Sequence, residues 1–91
     1  MLTGFFVYLN MEHQELLSRI TIDPLLCHGK PCIRGLRYPV ENMLEYLAGG
    51  DSIADVLAEF PDLEEPDLLA CLAYATAALR AKSVVVIPFA A

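Results

Sequence analysis

The sequence predicts a mainly α-helical domain with a small β element: a short β hairpin, then three helices in helix-turn-helix outline, with apolar strands at both ends. Three observations predict it. Between Val40 and Arg80, apolar residues recur at helical spacing in three blocks, separated by Gly49-Gly50 and by Pro61. Ahead of them, Ile20 to Val40 packs three prolines, two glycines and three of the six basic residues into an irregular segment. At the ends, Leu2 to Leu9 and Ser83 to Ile87 are rich in the branched and aromatic residues that favour strands.

In chain order, Phe5, Val7 and Leu9 alternate with Phe6 and Tyr8, so both faces of a first strand would be apolar. An alternative start at Met11 would make this segment an upstream extension. Glu12 to Ser18 suits one or two helical turns. Arg19 to Asp23 reads as a short strand with Ile20 and Ile22 on one face, ended by Pro24. His28-Gly29-Lys30-Pro31 and Arg34-Gly35-Leu36 are turn signals that complete a small hairpin.

Pro39 suits a first helical position, where its missing N–H costs nothing. Val40, Met43, Leu44, Leu47 and Ala48 form the apolar stripe of that helix, and Gly49-Gly50 stops it. Ser52 caps the second helix, with Asp55 spaced as the acid of a capping box and Ile53, Val56, Leu57 and Phe60 as its stripe. Glu64-Glu65-Pro66-Asp67 opens the third, with carboxylates near its positive end. Leu68, Cys71, Leu72, Ala75 and Leu79 make one face of it, and Leu69, Ala73, Tyr74, Ala77 and Ala78 most of the rest. A helix apolar nearly all round is covered on more than one side, by a second subunit or by strands. Ser83 to Ile87 is a terminal strand that needs a partner, whether the first strand, a second copy or another protein.

Ninety-one residues make one domain. The hydrophobic fraction of 56% excludes disorder and exceeds what one small core hides, so a homodimer or another protein partner is expected. The net charge of −6 argues against a dedicated nucleic-acid binder, whose affinity rests on neutralising phosphates. Any such contact must be local or assembled by an oligomer. The odd count of three cysteines, an apolar start without positive charge, and no stretch long enough to span a bilayer predict a reduced, cytoplasmic protein.

The helix-turn-helix outline raises DNA binding, but the first turn of a third helix normally meets base edges. Here that turn holds Glu64, Glu65 and Asp67, with no base until Arg80, so it would be repelled by phosphate unless positive charge comes from elsewhere. Lys30, Arg34 and Arg37 are the candidates for an anion- or nucleic-acid-contacting surface; arginine grips phosphate or carboxylate with two parallel bonds. The plainer reading pairs them with nearby acids such as Asp23 or Glu41. Cys27, His28 and Cys32 resemble a metal site only in part, since four residues separate the cysteines and a fourth ligand is not evident. Cys27 beside His28 has no third group to orient a nucleophile–base pair. No catalytic residue, metal or cofactor is therefore assigned.

Ile20-Thr21-Ile22-Asp23-Pro24, Cys27-His28-Gly29-Lys30-Pro31-Cys32-Ile33-Arg34-Gly35 and Arg37-Tyr38-Pro39-Val40 closely resemble the opening motif of a bacterial family, the domain of unknown function 433. Leu44, Leu47, Ala48, Gly49, Ser52-Ile53, Phe60-Pro61-Asp62-Leu63 and Ala70 to Ala75 continue the resemblance, which spans about residues 18 to 76. It implies a homeodomain-like helical fold, and an antitoxin-like role in which a PIN-like ribonuclease toxin is neutralised and the protein regulates its own operator DNA. Two departures bear on operator binding. Leu36 stands where the family pattern has threonine, and Glu64 stands where the third helix starts from threonine.

The expectation is thus a non-enzymatic, dimeric, antitoxin-like helix-turn-helix protein, without membrane association. Its parts are an N-terminal extension (1–17), the helical domain (18–80) and a C-terminal strand and tail (81–91). Phe5, Val7, Leu69, Ala73, Val84 and Val86 are the expected partner interface. A DNA-binding regulator without a toxin, and a structural module that dimerises through apolar strands, are the alternatives.

Overall fold

A computed structural model describes residues 13–82. The chain is mainly helical, with one two-stranded antiparallel sheet among the described residues. A short helix α1 (His13–Leu17) leads into β1 (Ile20–Thr21), a single 3-10 turn (Cys27–Gly29) and β2 (Cys32–Ile33). Helices α2 (Val40–Ala48), α3 (Ile53–Glu59) and α4 (Glu65–Lys82) follow. The expected end strands, with Phe5, Val7, Val84 and Val86, lie outside the described residues.

The hairpin is small but fully registered. Ile20 pairs with Ile33 and Thr21 with Cys32, and a further bridge joins Cys32 to Pro39. Gly35 takes a left-handed φ of +70° in the turn after β2, a conformation that costs glycine little. Its N–H donates to Thr21 Oγ1 at 2.8 Å, tying that turn back to β1. Ile22 is 60% exposed, so the strand predicted over Arg19 to Asp23 is shorter than expected and only Ile20 packs inward.

Pro39 sits one position earlier than predicted. It is the extended residue before α2, and the Val40 N–H that follows donates to the Pro31 carbonyl at 2.9 Å. Gly49 closes α2 with an ordinary right-handed φ, and the left-handed turn falls on Gly50 at φ +108°. Ser52 and Asp55 form the predicted capping box: the Asp55 N–H donates to Ser52 Oγ, and the Ser52 N–H to Asp55 Oδ2.

The core is Ile33, Val40, Met43, Val56, Leu63, Leu68 and Cys71, so the sheet and the last three helices each contribute. Each large side chain taken from water stabilises by about 1.5–3 kcal/mol. Tyr38 and Tyr46 pack their rings against Phe60, both at 5.5 Å between centroids. Helix α4 is the hub, touching α1, α2, α3 and β1.

The apolar face of α4 differs from the predicted one. Leu68 and Cys71 are fully buried, but Leu72 is 43% and Leu79 59% exposed, while Ala70 and Ala73 are buried. The reason is α1, which packs on α4 and turns the buried stripe towards the alanines. His13 Nε2 donates to the Ala73 carbonyl at 3.2 Å across that contact.

Candidate functional site

The most highly organised polar constellation lies where α4 begins, and the hairpin assembles it. Arg19 directly precedes β1 and Arg34 directly follows β2. The sheet register therefore sets them opposite each other, and the Arg34 N–H donates to the Arg19 carbonyl at 2.7 Å. Arg34 holds a left-handed φ of +49°, which is uncommon outside glycine and asparagine.

Both guanidiniums converge on Asp67, the third residue of α4 and the one buried charged side chain among the described residues. Arg34 grips it side-on, with Nε to Oδ1 at 3.0 Å and Nη2 to Oδ2 at 2.8 Å. Arg19 Nη1 reaches Oδ1 at 2.9 Å and also Glu64 Oε1 at 3.0 Å. The Glu64 N–H donates to Oδ2 at 2.8 Å, which is the backbone arm of a capping box. Arg34 Nη2 also donates to the Asp62 carbonyl, and the Tyr38 hydroxyl donates to Asp62 Oδ2 at 3.1 Å.

The electrostatics follow from this geometry. Burial pushes the Asp67 carboxyl upwards, but the hydrogen bonds from Arg34, the Glu64 N–H and Arg19 outweigh it and hold the acid below the usual carboxylate range. Asp67 raises Arg34 in return. Burial, with the nearby Asp67 charge, pushes the Cys71 thiol up to about 12. Asp67 accepts four hydrogen bonds, about the full capacity of a carboxylate. It is an anchor whose acceptor sites are all taken up by this chain's own donors.

The three basic residues singled out in the sequence do not share a partner. Arg34 is committed to Asp67. Lys30 pairs with Glu41 at 3.5 Å, both side chains more than half exposed, as the plainer reading expected. Arg37 is exposed. Of the interface candidates within the described residues, Leu69 is half-buried and Ala73 is only 6% exposed, packed in this chain's own interior. The sequence reading missed Arg19 and Asp67. The signal for Asp67 was its capping-box distance from Glu64; Arg19 could be found only through the hairpin register.

A second feature is an apolar groove of about 470 Å³ between α2 and α4, lined by Pro31, Val40, Leu44, Tyr74, Ala78 and Leu79, with Glu41 as its charged group. Among the described residues no group of three or more His, Cys, Asp or Glu side chains is placed to hold a metal ion, and no helix is long and apolar enough to cross a membrane.

The family model described as a protein of unknown function, DUF433, matches residues 20–75. The chain belongs to the DUF433 family. Its fold is similar to the crystal structure of a DUF433 member protein from Anabaena variabilis ATCC 29413, with a TM-score of 0.65 and 28% identity over 90% of this chain and 77% of that one. Among curated proteins none matches. The matched DUF433 segment holds the hairpin, Arg34 and Asp67, while Arg19 lies one residue ahead of it. Leu36, one of the two departures from the family pattern, packs against the core.

Proposed function

We propose that this DUF433 chain is a non-enzymatic, antitoxin-like helix-turn-helix protein. It works as a homodimer, neutralises a PIN-like ribonuclease and binds its own operator DNA. The supporting observation is where the positive charge goes. Arg19 and Arg34 are held by Asp67 and Glu64, and Lys30 by Glu41. Apart from Arg37 and Arg80, what the described surface offers is carboxylates and exposed leucines, Leu72 and Leu79 among them. A ribonuclease must attract a polyphosphate, so the channel that receives it is positive and complements such a surface. The saturated hydrogen bonding of Asp67 supports a binding role over a catalytic one, because the buried acid cannot act as a general base.

The test is to read the adjoining frames for a small ribonuclease and to co-express it with this protein; the absence of such a nuclease removes the antitoxin role. A stable complex on size exclusion, with ribonuclease activity suppressed, is the expected result. Free, active nuclease beside free protein removes the antitoxin role.

DNA binding without a toxin is the second reading. It is favoured by the three successive helices α2, α3 and α4, by the arginines that pair Glu64 and Asp67 at the start of α4, and by exposed Arg37 just ahead of α2. Binding to its own promoter should weaken steeply as salt rises, and Arg37→Ala should flatten that slope. Failure to bind at low salt rejects it.

A further inference from the structure

The apolar groove between α2 and α4 lies open among the described residues. Leu44, Tyr74 and Ala78 are its half-buried walls, and Leu79, 59% exposed, is its outer lip. Its one charged side chain, Glu41, is more than half exposed and already paired with Lys30 at 3.5 Å. A concavity of about 470 Å³ with walls of this kind suits apolar side chains, and its volume lies in the range of ordinary binding pockets.

The course of the chain beyond the groove identifies its occupant. Lys82, the last residue of α4, stands three positions past the lip at Leu79. Nine residues follow it, Ser83-Val84-Val85-Val86-Ile87-Pro88-Phe89-Ala90-Ala91, and they lie outside the described residues. None of the nine is charged, so seating them against apolar walls takes no charge out of water. Four consecutive β-branched residues and a proline disfavour a continuation of α4. The reach is sufficient. From Lys82 back to Tyr74 is eight helical positions, roughly 12 Å along the axis at about 1.5 Å each. About four extended residues cover that distance, at about 3.3 Å each. A reversing turn takes about four more, within the nine present. The residues ahead of His13 are worse placed. Their helix, α1, meets α4 at Ala73, which stands nearly opposite Ala75 of the groove wall around the helix axis.

We propose that the segment Val84 to Phe89 turns back along α4 and fills the groove of its own chain. The fit is of apolar side chains against apolar walls, and the groove is open on its outer side, so the outward backbone groups of the segment keep water as a partner. The seated segment braces α2 against α4 and removes an apolar strand from exposure to other chains. The proposal does not rest on the nuclease reading, and Leu72, which does not line the groove, stays available to a partner.

The test is methyl and aromatic nuclear Overhauser spectroscopy on the unsubstituted full chain. Cross-peaks should join the methyls of Val84 to Ile87 to those of Leu44 and Ala78 and to the ring of Tyr74. A filtered experiment on mixed labelled and unlabelled chains separates contacts within one chain from contacts between two, and the cross-peaks should all fall in the first class. The triple variant Val84→Asp, Val85→Asp, Val86→Asp should lose them, and its Leu44 and Ala78 methyl resonances should shift while those of Val56 and Leu63 in the core stay in place. Absence of the cross-peaks, their appearance only between chains, cross-peaks from Phe5 to Leu9 to the groove in their stead, or unmoved Leu44 and Ala78 resonances in the variant would each overturn the proposal.

Discussion

Helices α3 and α4 begin with the same device and put it to different uses. At both, an aspartate three residues into the helix accepts the N–H of the capping position: Asp55 from Ser52 at 2.9 Å, Asp67 from Glu64 at 2.8 Å. Asp55 is exposed and its bonds are local. Asp67 is wholly buried and carries two arginines from a hairpin more than thirty residues away in sequence. A cap that stays in water organises one helix end. A cap taken out of water needs its charge compensated, and the compensation fastens a second structural element to the helix.

Removing the acids and bases in turn measures that difference. Asp67→Ala should cost about 3 kcal/mol in urea denaturation, because it strips the arginines of their partner and the helix of its cap. A loss below what a simple cap provides would mean that the cluster is not an anchor.

Acid sharpens the contrast. The Asp67 carboxyl is depressed in the folded state, so its stabilisation is full above the unfolded value of about 3.9 and disappears as pH falls through the lower folded value. Stability measured from neutral pH down to the acid limb should be much flatter for Asp67→Asn than for Asp55→Asn. Parallel curves would equate the two caps.

Arg34→Lys tests the side-on geometry, since an ammonium cannot make two parallel bonds. With its side chain about one-third exposed, the expected loss is about 1–2 kcal/mol, and an unchanged denaturation midpoint would assign the contact to simple charge. Ser52→Ala, at the local cap, should lose about 1 kcal/mol. It should leave the acid response from Asp67 untouched.

Legibility in the sequence followed the same division. Ser52 and Asp55 could be read directly, because both partners lie within one helical turn. The stop at Gly49-Gly50 and the hairpin turns were equally local. Arg34 was visible as a charge, but its partner lies 33 residues on, and no pattern within a window reveals that pairing. The buried face of α4 failed for a similar reason. Its apolar residues surround the helix, so periodicity alone could not choose between the side with Leu72 and Leu79 and the side that α1 covers.

The bonds from Arg19 and Arg34 to Asp67 span 48 and 33 residues. A sheet of two-residue strands does not hold its shape alone in water, so the hairpin gains permanence only after the helical body exists to receive it. The clasp is thus expected to form late in folding and to be the first to let go. Stopped-flow traces of Arg34→Lys should show faster unfolding with unaltered refolding, and slower refolding would place the hairpin in the folding nucleus instead.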